Sequence, residues 1–252
     1  MTRLPSPAGH PVHGHLGRWG TEPLALLLEG ADLGPLFELR LPRSPAVVGT
    51  SPAWNRFVLR DGETFVARRS IVALVPHLRG GIIVTDAPQH RPRRVVLEPR
   101  YRDVNHLRSR VRDAARALVP GDEFDGLAWA LEAIPALLNA ALFSGGFPED
   151  LLAHYLHPLE QGMPAALIPR PVARRAVRKE LARQLRLRRD DPSIDDLAAG
   201  FAHVPGAVEE LRVGLAAGFD TSAHTLAWAL WYLGAHPDWQ APERRRAAVD
   251  EV

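Results

Sequence analysis

Six consecutive residues, Ala217-Gly218-Phe219-Asp220-Thr221-Ser222, set an acid beside two hydroxyls inside the longest apolar stretch of the chain, residues 213–235. A carboxyl next to an alcohol can relay a proton between solvent and a bound reactant. An ionised Asp kept dry is unfavourable by several kcal/mol unless it is paired or reached by water. A threonine hydroxyl can bond back to the carbonyl one turn earlier, and Gly218 uncovers the neighbouring backbone, so together they can open the helical ladder into a polar groove. The same residues also suit a capping or ion-paired carboxylate, and both uses stay open. A second constellation is Asp86-Ala87-Pro88-Gln89-His90-Arg91-Pro92-Arg93-Arg94. Pro88 suits a first helical turn, and His90 and Arg94, four apart, share a helix face. An imidazole beside a guanidinium fork suits a carboxylate ligand, and a solvated basic face is the alternative. Pro92, lacking an N–H, is expected to distort their spacing.

The elements that must position these residues are mostly helical. Apolar periodicity and turn-formers predict helices at about 88–100, 103–118, 125–143, 148–160, 171–189, 206–235 and 238–251. At ~1.5 Å per residue the helix over 206–235 spans roughly 45 Å. Its apolar surface predicts burial on all sides, in the middle of the fold. Upstream, a short apolar helix near 23–28 precedes Leu36-Phe37-Glu38-Leu39-Arg40-Leu41, whose alternation predicts a half-buried strand. Pro42-Arg43-Ser44-Pro45 turns the chain into a second strand, 46–48, and Ser51-Pro52 starts a helix to about 59. Pro120-Gly121, Gly145-Gly146-Phe147-Pro148 and Asp190-Asp191-Pro192 are short connections. The expected fold class is mainly α with a small N-terminal β-sheet, as one domain over 1–252, with the β element at about 36–50 and the helical part at 86–252.

Composition narrows the chemistry. Of 252 residues, 46% are hydrophobic and 24% charged, a globular balance. Basic and acidic side chains nearly cancel, 31 against 29, and Lys179 is the single lysine, which argues against a polyanion-binding arm. The absence of cysteine excludes disulfides, Cys-based zinc or iron–sulfur sites, and any thiolate nucleophile or haem ligand from within the chain. The N-terminus, Met1-Thr2-Arg3-Leu4-Pro5-Ser6-Pro7, lacks the apolar core of a signal peptide. The stretch 213–235 is interrupted by Asp220 and His224, so a cytoplasmic chain without a membrane span is expected.

Several further groups invite weaker readings. His10, His13 and His15 lie close together but have no fourth ligand nearby, so no metal site is expected. His154 and His157 sit a turn apart on a helix surface. Residues 170–189 carry nine basic side chains around an apolar stripe of Val177, Leu181 and Leu185, which reads as a solvated outer face. That segment holds no aromatic stacking platform, so nucleic acid is not an expected partner. Trp228, Trp231 and Trp239 read as core or interface filling. No Gly-x-Ser-x-Gly elbow, phosphate-binding Lys loop, His-Glu-x-x-His pair or dinucleotide fingerprint occurs.

Taken in order, these segments resemble the cytochrome P450 family of haem-thiolate monooxygenases, particularly its soluble bacterial members. Gly34-Pro35-Leu36-Phe37-Glu38-Leu39 is similar to the first sheet strand, Phe65-Val66-Ala67-Arg68 to the segment after the second helix, and residues 86–101 to the helix that binds the haem propionates. Ala217-Gly218-Phe219-Asp220-Thr221-Ser222 matches the family's Ala-Gly-x-(Asp/Glu)-Thr-(Thr/Ser) signature. Thr225-Leu226-Ala227-Trp228-Ala229-Leu230 and His236-Pro237-Asp238-Trp239-Gln240 continue it. The resemblance implies haem as cofactor, with His90, Arg94, Ala217 and Gly218 as haem-binding positions and Gly218 leaving room for dioxygen. It also implies Asp220 and Thr221 as the catalytic acid and alcohol, a small organic substrate and an electron-transfer partner.

The chain ends at Ala247-Ala248-Val249-Asp250-Glu251-Val252, where the family continues with its Glu-x-x-Arg helix and Cys-bearing haem loop. The resemblance therefore covers the N-terminal three fifths of a member and implies an incomplete cytochrome P450 fold. Three readings follow: a truncated or split monooxygenase, inactive until a complementary chain supplies the thiolate; a haem-free auxiliary or binding protein, for example a glycosyltransferase activator; or a haem carrier with histidine ligation. Asp220-Thr221 favours the first, since a binding scaffold has no use for a proton relay. A central helix without its covering layer also predicts a complementary chain or a homodimer.

Overall fold

Alternating burial fixes the small sheet. The computed structural model describes residues 3–41, 45–66, 75–161 and 165–240, and the chain packs as two units, Met1–Val66 and Ala67–Val252. In the first unit, α1 (Leu16–Thr21) and α2 (Pro23–Asp32) lead into β1 (Leu36–Leu39), which pairs antiparallel with β2 (Ala46–Gly49), Leu36 opposite Gly49 and Leu39 opposite Ala46. Phe37 and Leu39 point inward onto Leu26 of α2, the expected period of two. The predicted helix after Ser51 is α3 (Pro52–Arg60), and Ser51 Oγ accepts from the Trp54 N–H at 3.1 Å. Of the upstream segments read from sequence, Pro42-Arg43-Ser44 and Ala67-Arg68 lie outside the described residues. His15 is no metal ligand: fully buried, it shares a hydrogen bond with Pro7 O and accepts the Arg40 N–H, pinning the N-terminal segment.

The second unit is helical: α4 (His90–Arg102), α5 (Arg108–Arg116), α6 (Gly126–Phe143), α7 (Glu149–Glu160), α8 (Pro171–Asp190) and α9 (Ala207–Ala235), with short 3-10 turns between. The expected boundaries hold to within a few residues. The exceptions have physical causes. α4 starts at His90, after the turn containing Pro88. Pro92 therefore falls in the first turn, where a missing N–H breaks no bond within the helix, and α4 runs on through it to Arg102. Beyond α9 the chain forms a 3-10 turn, Pro237–Gln240, where a helix from 238 is expected; the rest of that helix lies outside the described residues.

The core lies where α6 and α9 run together, joined by α7 and α8. Leu211, Leu215 and Phe219 of α9 meet Ala130 and Ile134 of α6 and the stripe Val177, Leu181 and Leu185 of α8. α6 is also, by length and composition, the one helix among the described residues apolar enough to cross a membrane, and it lies in this core. Asn139 of α6 clamps the turn into α7: its side chain accepts from Phe147 N at 3.0 Å and donates to Phe147 O at 2.9 Å. The outer face of α8 is not wholly solvated. Arg188 is buried, its Nε donating to Asp196 Oδ1 at 2.6 Å, while Asp196 also accepts from Ser144 Oγ at 2.9 Å.

A second buried guanidinium anchors α9. Arg212 has no exposure; its Nε donates to Glu209 Oε2 at 2.8 Å, Nη1 to His77 O at 2.6 Å and Tyr155 Oη at 3.1 Å, and Nη2 to Arg79 O. The segment 76–79 is thereby tied to α9, and His77 Nε2 completes the tie to Tyr155 O of α7 at 2.9 Å.

Two outcomes test these contacts. Asp196→Ala strands the buried Arg188 charge and should lower unfolding free energy by about 3–5 kcal/mol in urea. Asp195→Ala, which removes only a pair between Arg110 and an exposed carboxylate, should leave the midpoint nearly unchanged. Burial above all, then the Arg212 charge, holds the His77 imidazole below its ordinary 6.5. The unfolded chain therefore takes up a proton that the folded chain refuses, and stability falls as pH drops below about 6.5. His77→Gln should flatten that fall between pH 7 and 5 in pH-resolved urea titrations.

Candidate functional site

The residues singled out by sequence sit on α4 and on the middle of α9, and burial along α9 decides what they can do. Its first half is core: Leu211, Arg212, Leu215 and Phe219 are fully buried. From Asp220 onward, most side chains face outward, with Ala223 the last one buried. The expectation of a helix covered on all sides is thus corrected. Among the described residues its C-terminal half is covered on one side only: Ala223, Leu226 and Ala227 pack into the core and Leu230 lies beside Gly126 of α6, while Trp228, Trp231 and Tyr232 are each more than half exposed. Trp228, Trp231 and Trp239 are accordingly not core residues of this unit; the first two stack edge-to-face with ring centroids 5.6 Å apart.

Asp220 and Thr221 lie at this changeover. The Thr221 hydroxyl donates to Ala217 O at 2.7 Å, the back-bond expected of it, yet α9 runs as one uninterrupted helix and no polar groove opens. A back-bonded hydroxyl leaves the backbone bond in place as a shared acceptor, so the ladder tolerates it. The Asp220 side chain is half exposed, so the desolvation penalty expected of a dry acid does not arise. Its Oδ1 lies 3.5 Å from His224 Nδ1, and that nitrogen is 2.9 Å from Asp220 O. Acid, alcohol and imidazole thus share one open surface of α9. Gly218 faces α6: a Cβ there would sit 3.2 Å from Leu138 Cδ2, a close helix–helix approach.

On α4, His90 is half-buried and makes no side-chain hydrogen bond among the described residues, and Arg94 is exposed, its Nε donating to Glu98 Oε2 at 3.1 Å. No hydrogen bond joins either of them to Asp220 or Thr221 among the described residues. What connects the two helices is Arg93. Its guanidinium reaches Thr85 Oγ1 at 2.5 Å, Gly80 O at 3.0 Å and the buried Glu210 carboxylate of α9, whose other oxygen accepts the Ile82 N–H at 3.1 Å. At the far end of α4, Tyr101 Oη would lie 3.4 Å from a Cβ at Gly214. Burial, then the Glu210 charge, push its phenol up to about 12. α4 thus lies along residues 210–214 of α9, and Asp220 follows six residues later, roughly 9 Å along the axis.

Sequence reading chose His90 and Arg94 and passed over Arg93, Glu209, Glu210 and Arg212. The available signal was a set of charges, Glu209-Glu210-Leu211-Arg212, inside an otherwise apolar helix, which requires buried partners. Gly81 belongs to the same join, since a Cβ there would come within 2.6 Å of Val213.

Replacing the two neighbouring arginines separates their roles. Arg93→Ala leaves Glu210 buried without its cation and should cost about 3 kcal/mol or more in denaturant unfolding, whereas Arg94→Ala should leave the midpoint unchanged. Equal effects would show that Arg93 does not fasten α4 to α9.

No family model matches the chain. A curated relative, cyclooctatin synthase of Streptomyces melanosporofaciens, is 27% identical over 98% of this chain and 62% of its own length. Solved structures with the same arrangement include the cytochrome P450DA haem domain, with a TM-score of 0.71 and 19% identity over 96% of this chain and 62% of that one. A retinoic acid-bound cyanobacterial CYP120A1 superposes with a TM-score of 0.73 and 19% identity over 99% of this chain and 64% of that one. The chain thus spans less than two thirds of the length of the proteins it matches, and over that part it has the cytochrome P450 fold.

Proposed function

We propose that this chain forms one part of a haem monooxygenase of the cytochrome P450 type and lacks catalytic activity by itself. The observation that carries the reading is the open middle of α9, where Asp220 and Thr221 stand at the boundary between a buried half and a half covered on one side only, in a fold whose solved counterparts are substantially longer. The residues present fit one edge of a haem. Among the described residues His90 has no competing side-chain bond and Arg94 is held only by a solvent-exposed pair on its own helix, so both can turn toward propionates. They do not fit thiolate ligation, because the chain contains no cysteine; that ligand must come from another segment or a complementary chain. Bound haem would supply the redox chemistry of oxygen activation. Asp220, half in water and beside His224, would exchange a proton with solvent, and Thr221 Oγ1 would accept a proton on a free lone pair and turn its own proton away from Ala217 O to pass it on.

The substrate would be a small organic molecule and the electrons would come from a separate electron-transfer protein. The uncovered aromatic face around Trp228 and Trp231 is the surface that a complementary chain would close. Titrating the chain with hemin, followed by tryptophan fluorescence, tests the reading. Saturable binding weakened about tenfold by His90→Ala or Arg94→Ala, with no thiolate-type Soret band after reduction under carbon monoxide, is the expected result. Absence of binding would favour a haem-free scaffold, unchanged affinity in the variants would remove the propionate assignment, and a thiolate-type band would refute the ligand set.

A further inference from the structure

A small cavity of about 110 Å³ lies between the segment 76–79, Tyr155 of α7, the first turn of α8 and Arg212 of α9. At roughly 30 Å³ per water, it has room for about three or four waters or one small polyatomic ion. Arginines dominate its walls: Arg79, Arg170, Arg174 and Arg212. Around it, the Glu209 carboxylate is shared by three arginines, Arg212 at 2.8 Å, Arg178 at 2.6 Å and Arg174 at 3.4 Å, so among these groups positive charge is in excess. Arg212 is consumed by its carbonyl, phenol and carboxylate partners. Arg170 is not; its guanidinium makes no hydrogen bond among the described residues. The N-terminal turn of α8 adds its unpaired N–H groups on the same side.

A separate observation points to a ligand. His77, 5% exposed, lines this cavity, and its Nδ1 is buried with no hydrogen-bond partner. Because Nε2 faces the carbonyl of Tyr155, which can only accept, the ring proton resides on Nε2, and Nδ1 presents a lone pair in need of a donor. A buried nitrogen left in that state is unfavourable by about 1–3 kcal/mol. An oxyanion satisfies both demands: its charge faces the arginines, and the contact with Nδ1 is made by the O–H of a monoprotonated phosphate or, for a carboxylate, by a proton taken up from solvent on binding.

We propose that this cavity is a binding site for a small oxyanionic group, phosphoryl or carboxylate, held chiefly by Arg170 and Arg174 with its proton contact at His77. The site lies wholly within the second unit and stands whether or not haem binds.

Calorimetric titration of the full chain with inorganic phosphate and, separately, with acetate, at constant ionic strength set by chloride, provides the test. One-site binding of at least one probe is expected, weakened tenfold or more by Arg170→Gln and further by Arg170→Gln with Arg174→Gln. Preference for phosphate assigns a phosphoryl group, and preference for acetate a carboxylate. As a readout that needs no arginine variant, the nitrogen resonance of the His77 ring, assigned with His77→Gln, should move in proportion to saturation. Failure of both probes to bind, an unchanged affinity in folded Arg170→Gln protein, or binding that leaves His77 unperturbed would each overturn the proposal.

Discussion

A buried arginine on α9 is the constraint on which the second unit depends. A guanidinium keeps its charge, so every oxygen around Arg212 is obliged to face inward: three backbone carbonyls of the segment 76–79, the Tyr155 phenol and the Glu209 carboxylate. A loop that would otherwise be free to wander is therefore fastened to the middle of the domain. Two residues earlier and on the opposite side of the helix, Glu210 does the reverse, a buried anion drawing in Arg93 and the backbone N–H of Ile82. Opposite charges two positions apart on one helix thus hold two successive stretches of the connection that leads into α4.

This division of labour explains why the candidate residues on α4 are available. Arg93 is immobilised by Thr85, Gly80 and Glu210, so it cannot serve a ligand. Arg94, one residue further round the helix, meets only Glu98 and keeps its guanidinium in solvent. His90 at the helix start has its backbone N–H bound to Asp86 O while its ring stays uncommitted. Structural rigidity and ligand availability are thereby assigned to neighbouring residues rather than combined in one.

The helices and the two strands were legible in the sequence because their signals are local. Alternation in residues 36–39, the stripe Val177, Leu181 and Leu185, and Ser51 before Pro52 each follow from backbone geometry. Apolar periodicity and turn-formers placed Asp220 and Thr221 within a long helix and His90 and Arg94 within a shorter one, as α9 and α4 have them. What was not legible was burial that depends on distant partners. A long apolar helix reads the same whether covered on one half or on both, and Arg93 reads like Arg94 until Glu210, 117 positions away, is brought beside it. His15, which lies close to His10 and His13 in the sequence, is likewise committed to the backbone by Arg40, which no spacing rule reveals.

The uneven cover of α9 has a consequence for its acid. Were Asp220 sealed on all sides, it would need a permanent cation, as Asp196 has in Arg188, and a permanently paired carboxylate is a poor proton carrier. At the edge of the cover it needs none: water and the neighbouring His224 suffice. A proton-transferring acid must be able to reach bulk solvent on one side and a protected space on the other. The transition from buried Phe219 to open Asp220 provides the first of these within one residue, and the second requires a surface laid over Trp228 and Trp231 that these helices do not themselves provide.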